Sequence, residues 1–352
     1  MPVRTPSQPP PVHLAVDLAA SQDEFQSQRR NGRYCNPGAP PQEFRKFLQW
    51  IAHRDLGPWR PFNESGVDPR PGPPVRIQGE ALRLSFINHA TTLIQTAGCN
   101  LLTDPIWSER ASPVSWAGPR RRRSPGIPFE QLPPVDAVLI SHSHYDHLDT
   151  ATLRRLLRRG ASAGGVRGGP AVFCPAGLGR LLSRLGFREV YELDWGQHLD
   201  WRNLTLHCVP AQHFSARTPF DRNRTLWCGW VAECPSGAIY FAGDTGFGGH
   251  FAAIARRFPR LRLALLPIGA YRPEWFMGPI HMTPEQALEA QAILGARRAV
   301  AIHWGTFPLA DDGEQEPVER LRRALASQPP ERLAYPFHIL ENGESLELAG
   351  KD

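Results

Sequence analysis

Residues 137–149 constrain this chain more than any other stretch. Ala137-Val138-Leu139-Ile140 is a short apolar run of the kind that fills a buried strand. It breaks off into Ser141-His142-Ser143-His144-Tyr145-Asp146-His147-Leu148-Asp149. Side chains at i and i+2 of an extended segment point the same way, so His142 and His144 can grip one ion. Asp146 and His147, past the bend, can reach a second. Neutral imidazole and carboxylate suit zinc and similar divalent ions. One loop cannot supply all the donors without crowding, so the fold must bring further ligands from distant strand ends to the same edge.

Three such donors stand out. His213 follows the strand-like Leu204–Val209, Asp244 follows Ala238–Ala242 in Phe241-Ala242-Gly243-Asp244-Thr245-Gly246, and His303 follows Ala299–Ile302. Open α/β sheets place their ligand sites at the C-terminal ends of strands. Each residue alone reads as an ordinary structural one; together with the histidine segment they read as a set.

The surrounding pattern supports a mixed fold. Residues 1–40 are dominated by proline and polar residues and read as a flexible N-terminal arm. Residues 41–352 read as one domain with a helical N-terminal extension over 41–80, in which Phe44, Phe47, Leu48 and Ile51 recur at amphipathic-helix spacing. Strands are expected near 82–86, 92–94, 101–103, 171–174, 226–231 and 261–266, and helices over 150–159 and 317–326. The helix 283–294 carries the fullest local signature: Thr283 as N-cap, Pro284 at its first position, Gln286 completing a capping box and Gly295 past its end. Asn342-Gly343 fits a tight turn between two final strands.

Composition excludes little beyond a membrane span. No apolar run reaches about 18 residues, and the N-terminus has no secretory h-region, so a cytoplasmic location with peripheral membrane contact is expected. Six scattered cysteines without CxxC spacing read as reduced thiols. The net charge of +6 includes the run Arg120-Arg121-Arg122-Arg123, which suits anionic headgroups, or else a solvated loop. No aromatic-plus-basic motif supports nucleic-acid binding.

HxHxDH followed by His, Asp and His at strand ends resembles the metallo-β-lactamase superfamily. The match is closest to its N-acyl-phosphatidylethanolamine-hydrolysing phospholipase D branch, in the segments Leu102–Ile106, Arg110–Pro113, Pro133–Asp149, Glu192–Trp195, Phe241–Gly246, Pro267–Met277 and Ala301–Phe307. Asn88 departs from that branch, where glycine is expected before His89-Ala90-Thr91. The resemblance implies an α/β fold of the αββα sandwich type with two Zn2+ at one edge. One ion would take His142, His144 and His213, and the other Asp146, His147 and His303, with Asp244 bridging and Asp104 orienting a ligand histidine. It also implies hydrolysis of an N-acylated phosphatidylethanolamine to phosphatidic acid and an N-acylethanolamine, and a homodimer. Asp146, Asp244 and His281 are the expected catalytic residues, His281 as a substrate contact or proton donor. The helix at 44–51 and the neighbourhoods of Trp107, Trp116 and Trp275 are candidates for an apolar groove. The same ligands would serve a lactonase, a soluble phosphodiesterase or nuclease, or a metal sensor without catalysis.

Overall fold

Period-two alternation within single strands builds two layers of core at once. In Cys99–Thr103, Leu101 joins a large cluster and Leu102 a smaller one; Val138 and Leu139, then Val172 and Phe173, divide the same way. These strands are therefore buried on both faces. The computed structural model describes residues 13–14, 25–37, 44–62, 71–162, 169–329, 331 and 334–350.

One sheet has eight strands, in the order His13–Leu14, Val190–Leu193, Ala171–Pro175, Ala137–Leu139, Cys99–Thr103, Thr91–Thr96, Leu82–Asn88 and Ser345–Leu348. It is parallel through Cys99–Thr103 and antiparallel beyond. The second has seven: His198–Trp201, Leu204–Val209, Gly229–Cys234, Gly237–Phe241, Leu261–Pro267, Ala299–Ile302 and Phe337–His338. The large cluster takes side chains from both sheets, including Phe86, Phe173, Trp230 and Leu265. The smaller one joins the first sheet to helices Thr150–Ser162 and Gly179–Leu185 through Leu153, Leu156 and Leu182. Helices His250–Arg257, Pro284–Leu294 and Glu316–Ala326 form the other outer layer. This is the αββα sandwich of the metallo-β-lactamase type.

The helix at 284–294 forms as its caps predict. Thr283 Oγ1 accepts from Gln286 N at 3.2 Å, Gln286 Oε1 accepts from Thr283 N at 3.0 Å, and Gly295 closes the end at φ 60°.

Three expectations need correction or refinement, and four elements carry no expectation at all. Residues 28–30 and 33–35, inside the stretch read as a flexible arm, pair as a hairpin, and Phe25 and Tyr34 are buried against the core. Two aromatic anchors outweigh a composition averaged over forty residues. Helix Phe44–Ala52 exists, but Phe47, Leu48 and Ile51 stay exposed. Trp50 is what docks it, through Nε1 to Asp311 Oδ2 at 2.9 Å and a stack on Phe276. Asn342-Gly343 does turn the chain, but Phe337–His338 and Ser345–Leu348 lie in different sheets, so the turn crosses between layers and closes no hairpin. Its form follows from packing: a Cβ on Gly126 would fall 1.8 Å from Gly343 N. Finally, the strands Val190–Leu193 and His198–Trp201 and the helices 179–185 and 250–257 carry no local signature strong enough to have been predicted.

Four cysteines are buried, and all six are free thiols. No described helix is long and apolar enough to cross a membrane.

Candidate metal centre

The two sheets deliver their strand ends to one edge. His142, His144, Asp146 and His147 follow Ala137–Leu139; His213 follows Leu204–Val209; Asp244 follows Gly237–Phe241; His303 follows Ala299–Ile302. All seven residues converge. His144 Nδ1 lies 2.8 Å from His142 Nε2 and 3.3 Å from His213 Nε2. Asp146 Oδ2 lies 3.1 Å from His147 Nε2 and 3.4 Å from His303 Nε2. Asp244 Oδ2 sits between the two groups, 3.1 Å from both His147 Nε2 and His303 Nε2, 3.7 Å from His213 Nε2 and 4.0 Å from His142 Nε2.

The backbone is bent to achieve this. His303 and Asp104 take left-handed φ of 60° and 30°, a strain of about 1–3 kcal/mol each that surrounding packing must hold. Gly243 (φ 61°) lets the Asp244 turn pass Ser141, where a Cβ would come within 2.6 Å. The histidine segment is pinned from below by Arg217, which donates to Ser143 O at 2.7 Å and Leu148 O at 2.9 Å. Asp104 accepts from His147 Nδ1 at 2.7 Å and from Ser141 N at 2.7 Å. It thereby turns His147 Nε2 towards Asp146 and Asp244, a contact of the kind that orients ligand histidines.

The chemistry of this donor set fits divalent cations. His147 Nε2, His303 Nε2 and Asp244 Oδ1 are buried with no hydrogen-bond partner, which is unfavourable unless a cation meets them. Burial pushes His142 and His213 well below the usual imidazole range and His144 down to about 4; neutral imidazole is the form that binds metal. Burial also opposes a charge on His303, but Asp244 outweighs it and raises the group to about 9. Burial likewise opposes ionisation of Asp146 and Asp244, and His147 overrides it, holding both carboxyls well below their usual range. The proton on His303 is one that a bound cation would release.

The residue missed from sequence is His89. It occupies the turn between Leu82–Asn88 and Thr91–Thr96 at φ 49°, with Nε2 2.9 Å from Asp146 Oδ2 and its ring 4.1 Å from that of His303. A lone histidine after Asn88 has no spacing partner to reveal it; its position at a strand end was the available signal. Asn88 itself donates to Ile106 O at 3.2 Å, behind the site.

A cavity of about 510 Å³ opens onto the cage. Its walls are apolar, from Phe47, Trp50, Phe214, Phe276, Met277 and Leu309, with Arg222 at one side over the Phe214 ring. His281 lines it too, with rings of His213 and His303 at 5.1 and 5.4 Å and Nδ1 buried without a partner; burial lowers it to about 4. Of the expected groove residues, the 44–52 helix and the neighbours of Trp275 contribute. Trp107 instead packs on Phe129 in the core, and Trp116 is exposed away from this lining.

Three of the four arginines in the run 120–123 are engaged by the chain itself. Arg121 is only 3% exposed and donates to the carbonyls of Ser108 (2.9 Å) and Ile106 (3.2 Å). Arg123 pairs with Glu341 beneath the Trp304 ring, and Arg120 pairs with Glu109.

A beta-lactamase superfamily domain matches residues 99–304, more than half the chain. An uncharacterized protein of Mycobacterium tuberculosis is 41% identical over 277 residues, 75% of this chain and 71% of that one. The N-acyl-phosphatidylethanolamine-hydrolyzing phospholipase D 1 of Caenorhabditis elegans is 36% identical over 254 residues, 68% of this chain and 69% of that one. Among solved structures, a possible metal-dependent hydrolase from Veillonella parvula superposes with a TM-score of 0.60 at 17% identity, covering 76% of this chain and 99% of that one. At that identity the likeness speaks for the fold.

Proposed function

The chain belongs to the beta-lactamase superfamily as one of its metal-dependent hydrolases, and from that premise we propose that it cleaves the phosphodiester of an N-acyl-phosphatidylethanolamine-like lipid, releasing phosphatidic acid and an N-acylethanolamine. The observation that carries this reading is a cage of seven ligand-type side chains at the floor of a cavity whose walls are apolar. A phosphate at the floor and acyl chains along Phe47, Phe214, Phe276 and Met277 would use both parts; a small polar ester would use only the floor.

His142, His144 and His213 would hold one ion, and Asp146, His147 and His303 the other, with Asp244 placed to touch both. Zinc is the proposed metal, since imidazole and carboxylate donors suit it. Two such ions supply Lewis-acid charge for phosphoryl oxygens and lower the pKa of water. The remaining roles belong to the chain itself. Asp104 and His89 fix the orientation of His147 and Asp146 through the contacts at 2.7 and 2.9 Å. Arg222 gives the entering phosphate a positive neighbour. His281, neutral at pH 7, acts as a hydrogen-bond donor to the substrate or to its departing oxygen rather than as a stored proton. The apolar wall excludes bulk water from the phosphorus. Phe47 lines the cavity, and the exposed Leu48, Ile51 and Trp275 belong to the two helices that supply its wall; such exposed apolar residues support peripheral contact with a bilayer.

The test is a substrate panel on metal-loaded protein: a labelled N-acyl-phosphatidylethanolamine, bis-p-nitrophenyl phosphate and a lactone. Release of the acylethanolamide, lost on chelation and restored by zinc, is the expected result. Hydrolysis of the lactone alone, or two bound ions with no turnover of anything, would overturn the proposal.

A further inference from the structure

A second cavity lies beside the segment that follows His303, which Arg122 and Arg123 touch at Thr306 and Trp304. It measures about 770 Å³ and shares no lining residue with the metal cavity. Its walls include Arg60, Phe62, Arg122, Arg123, Glu341 and Asn342. Most of these charges are matched: Arg123 pairs with Glu341, and Arg60 pairs with Glu314 at 2.6 Å. Arg122 is different. Its backbone N–H donates to Thr306 O at 2.8 Å, but its guanidinium has no hydrogen bond or ion pair among the described residues, and its Nε is buried. Asn342, which also lines the cavity, is 7% exposed; its Nδ2 donates to Ser124 O at 2.7 Å while Oδ1 is buried without a partner. Arg123 Nη1 is a third buried atom in the same position.

Unsatisfied buried donors and acceptors are rare in folded proteins and usually mark a place where something else binds. Here the unmet groups are a cation, a guanidinium N–H and an amide oxygen around one polar cavity. We propose that this cavity is a binding site for a small hydroxyl-bearing phosphomonoester, independent of the metal cage. The phosphate meets the Arg122 fork, where planar guanidinium geometry favours two parallel charge-assisted bonds. A ligand hydroxyl donates to Asn342 Oδ1, and Phe62 covers one face. An anion suits the cavity because its described lining holds three guanidiniums and two carboxylates and leaves one positive charge unmatched. The site touches the catalytic edge through one short segment: Arg123 lies 5.1 Å from the Trp304 ring, next to His303.

The test is calorimetric titration of metal-loaded full-length protein with glycerol 3-phosphate, beside flotation with phosphatidylcholine vesicles with and without lysophosphatidate, which keeps a free glycerol hydroxyl. Saturable binding of glycerol 3-phosphate that depends on Arg122, without flotation, assigns the site to a free metabolite; additional flotation that depends on lysophosphatidate and on Arg122 extends it to a lipid headgroup. Arg122→Ala weakens glycerol 3-phosphate binding by about tenfold or more, Arg122→Lys by less, and Asp244→Asn leaves it unchanged. Asn342→Ala weakens it several-fold and serves if the arginine variants do not fold. No saturable binding to the wild-type chain, or binding that survives Arg122→Ala and disappears in Asp244→Asn, would overturn the proposal, the latter by placing the phosphate on the metals.

Discussion

Two short runs of this chain look alike on paper and are opposites in the fold. His142, His144, Asp146 and His147 crowd into six positions; Arg120 to Arg123 fill four. The first run ends a strand, so its side chains all face one point and are met there by His213, Asp244 and His303. The second crosses a loop, so successive side chains diverge, and three of the four find partners of their own in Glu109, the Ser108 and Ile106 carbonyls, and Glu341. Chemistry follows convergence, not local density of charge. The secondary structure preceding a run decides which of the two it becomes.

The sharpest way to break that contrast is to remove one member from each run. His144→Ala should reduce bis-p-nitrophenyl phosphate turnover by about 10³-fold or more, since each ion's charge stabilisation is worth several kcal/mol. The melting temperature of the chelated protein should not fall, because no core packing is lost. Arg122→Ala should leave turnover within about twofold. Comparable losses in both variants would end the distinction between the runs.

Asp104→Asn tests whether convergence needs support from behind. It keeps the shape but takes the charge from the acceptor that holds His147 Nδ1. Metal affinity, read by competition with a chelator, should weaken about 10–100-fold while the fold persists. Unchanged affinity would show that His147 is held by packing alone.

Much of this cage is legible in the amino-acid sequence. Leu204–Val209 and Ala299–Ile302 are apolar runs followed by a histidine, and Gly243 before Asp244 marks a turn tight enough to approach an ion. His89 is not legible, because the partner that gives it meaning, Asp146, is 57 positions away and the turn itself is short. The helix at 284–294 announces itself through contacts within one turn, Thr283 with Gln286. Asn342-Gly343 announces a turn but not its destination, since local backbone chemistry cannot say which sheet the next strand will join. The partners of the Arg120–Arg123 run are not legible for the same reason: Glu341 and the Ile106 carbonyl come from elsewhere in the chain.

Within the arginine run, Arg121 should matter for folding and hardly at all for chemistry. Burial lowers its pKa to about 10, and it survives as a cation by donating to backbone carbonyls while lying 5.3 Å from the Phe307 ring. Arg121→Ala removes those bonds and leaves carbonyls unmet. Denaturant unfolding should show a loss of about 2–4 kcal/mol, with turnover per folded molecule within about threefold. A large fall in turnover at unchanged stability would move Arg121 to the cage side of the comparison.

The smallest effect concerns the rim of the arginine cavity, where Arg60 donates to Glu314. Burial opposes the Glu314 charge, but the bonds from Arg60 outweigh it and hold the carboxyl below its usual range. A carboxyl whose pKa falls on folding adds stability above its unfolded value of about 4.3 and loses it as pH drops through the folded value. The Arg60 side chain is 70% exposed, so water and salt screen the pair to less than about 1 kcal/mol. Glu314→Gln should therefore lower stability slightly at pH 7 and less so at high salt. It should converge on the wild type as pH falls below the folded value, where both side chains are neutral. A difference that persisted in acid would come from shape, not charge. It would also mean that the arginine side depends on close fit as the cage does, so that convergence separates the two regions less sharply than their charges suggest.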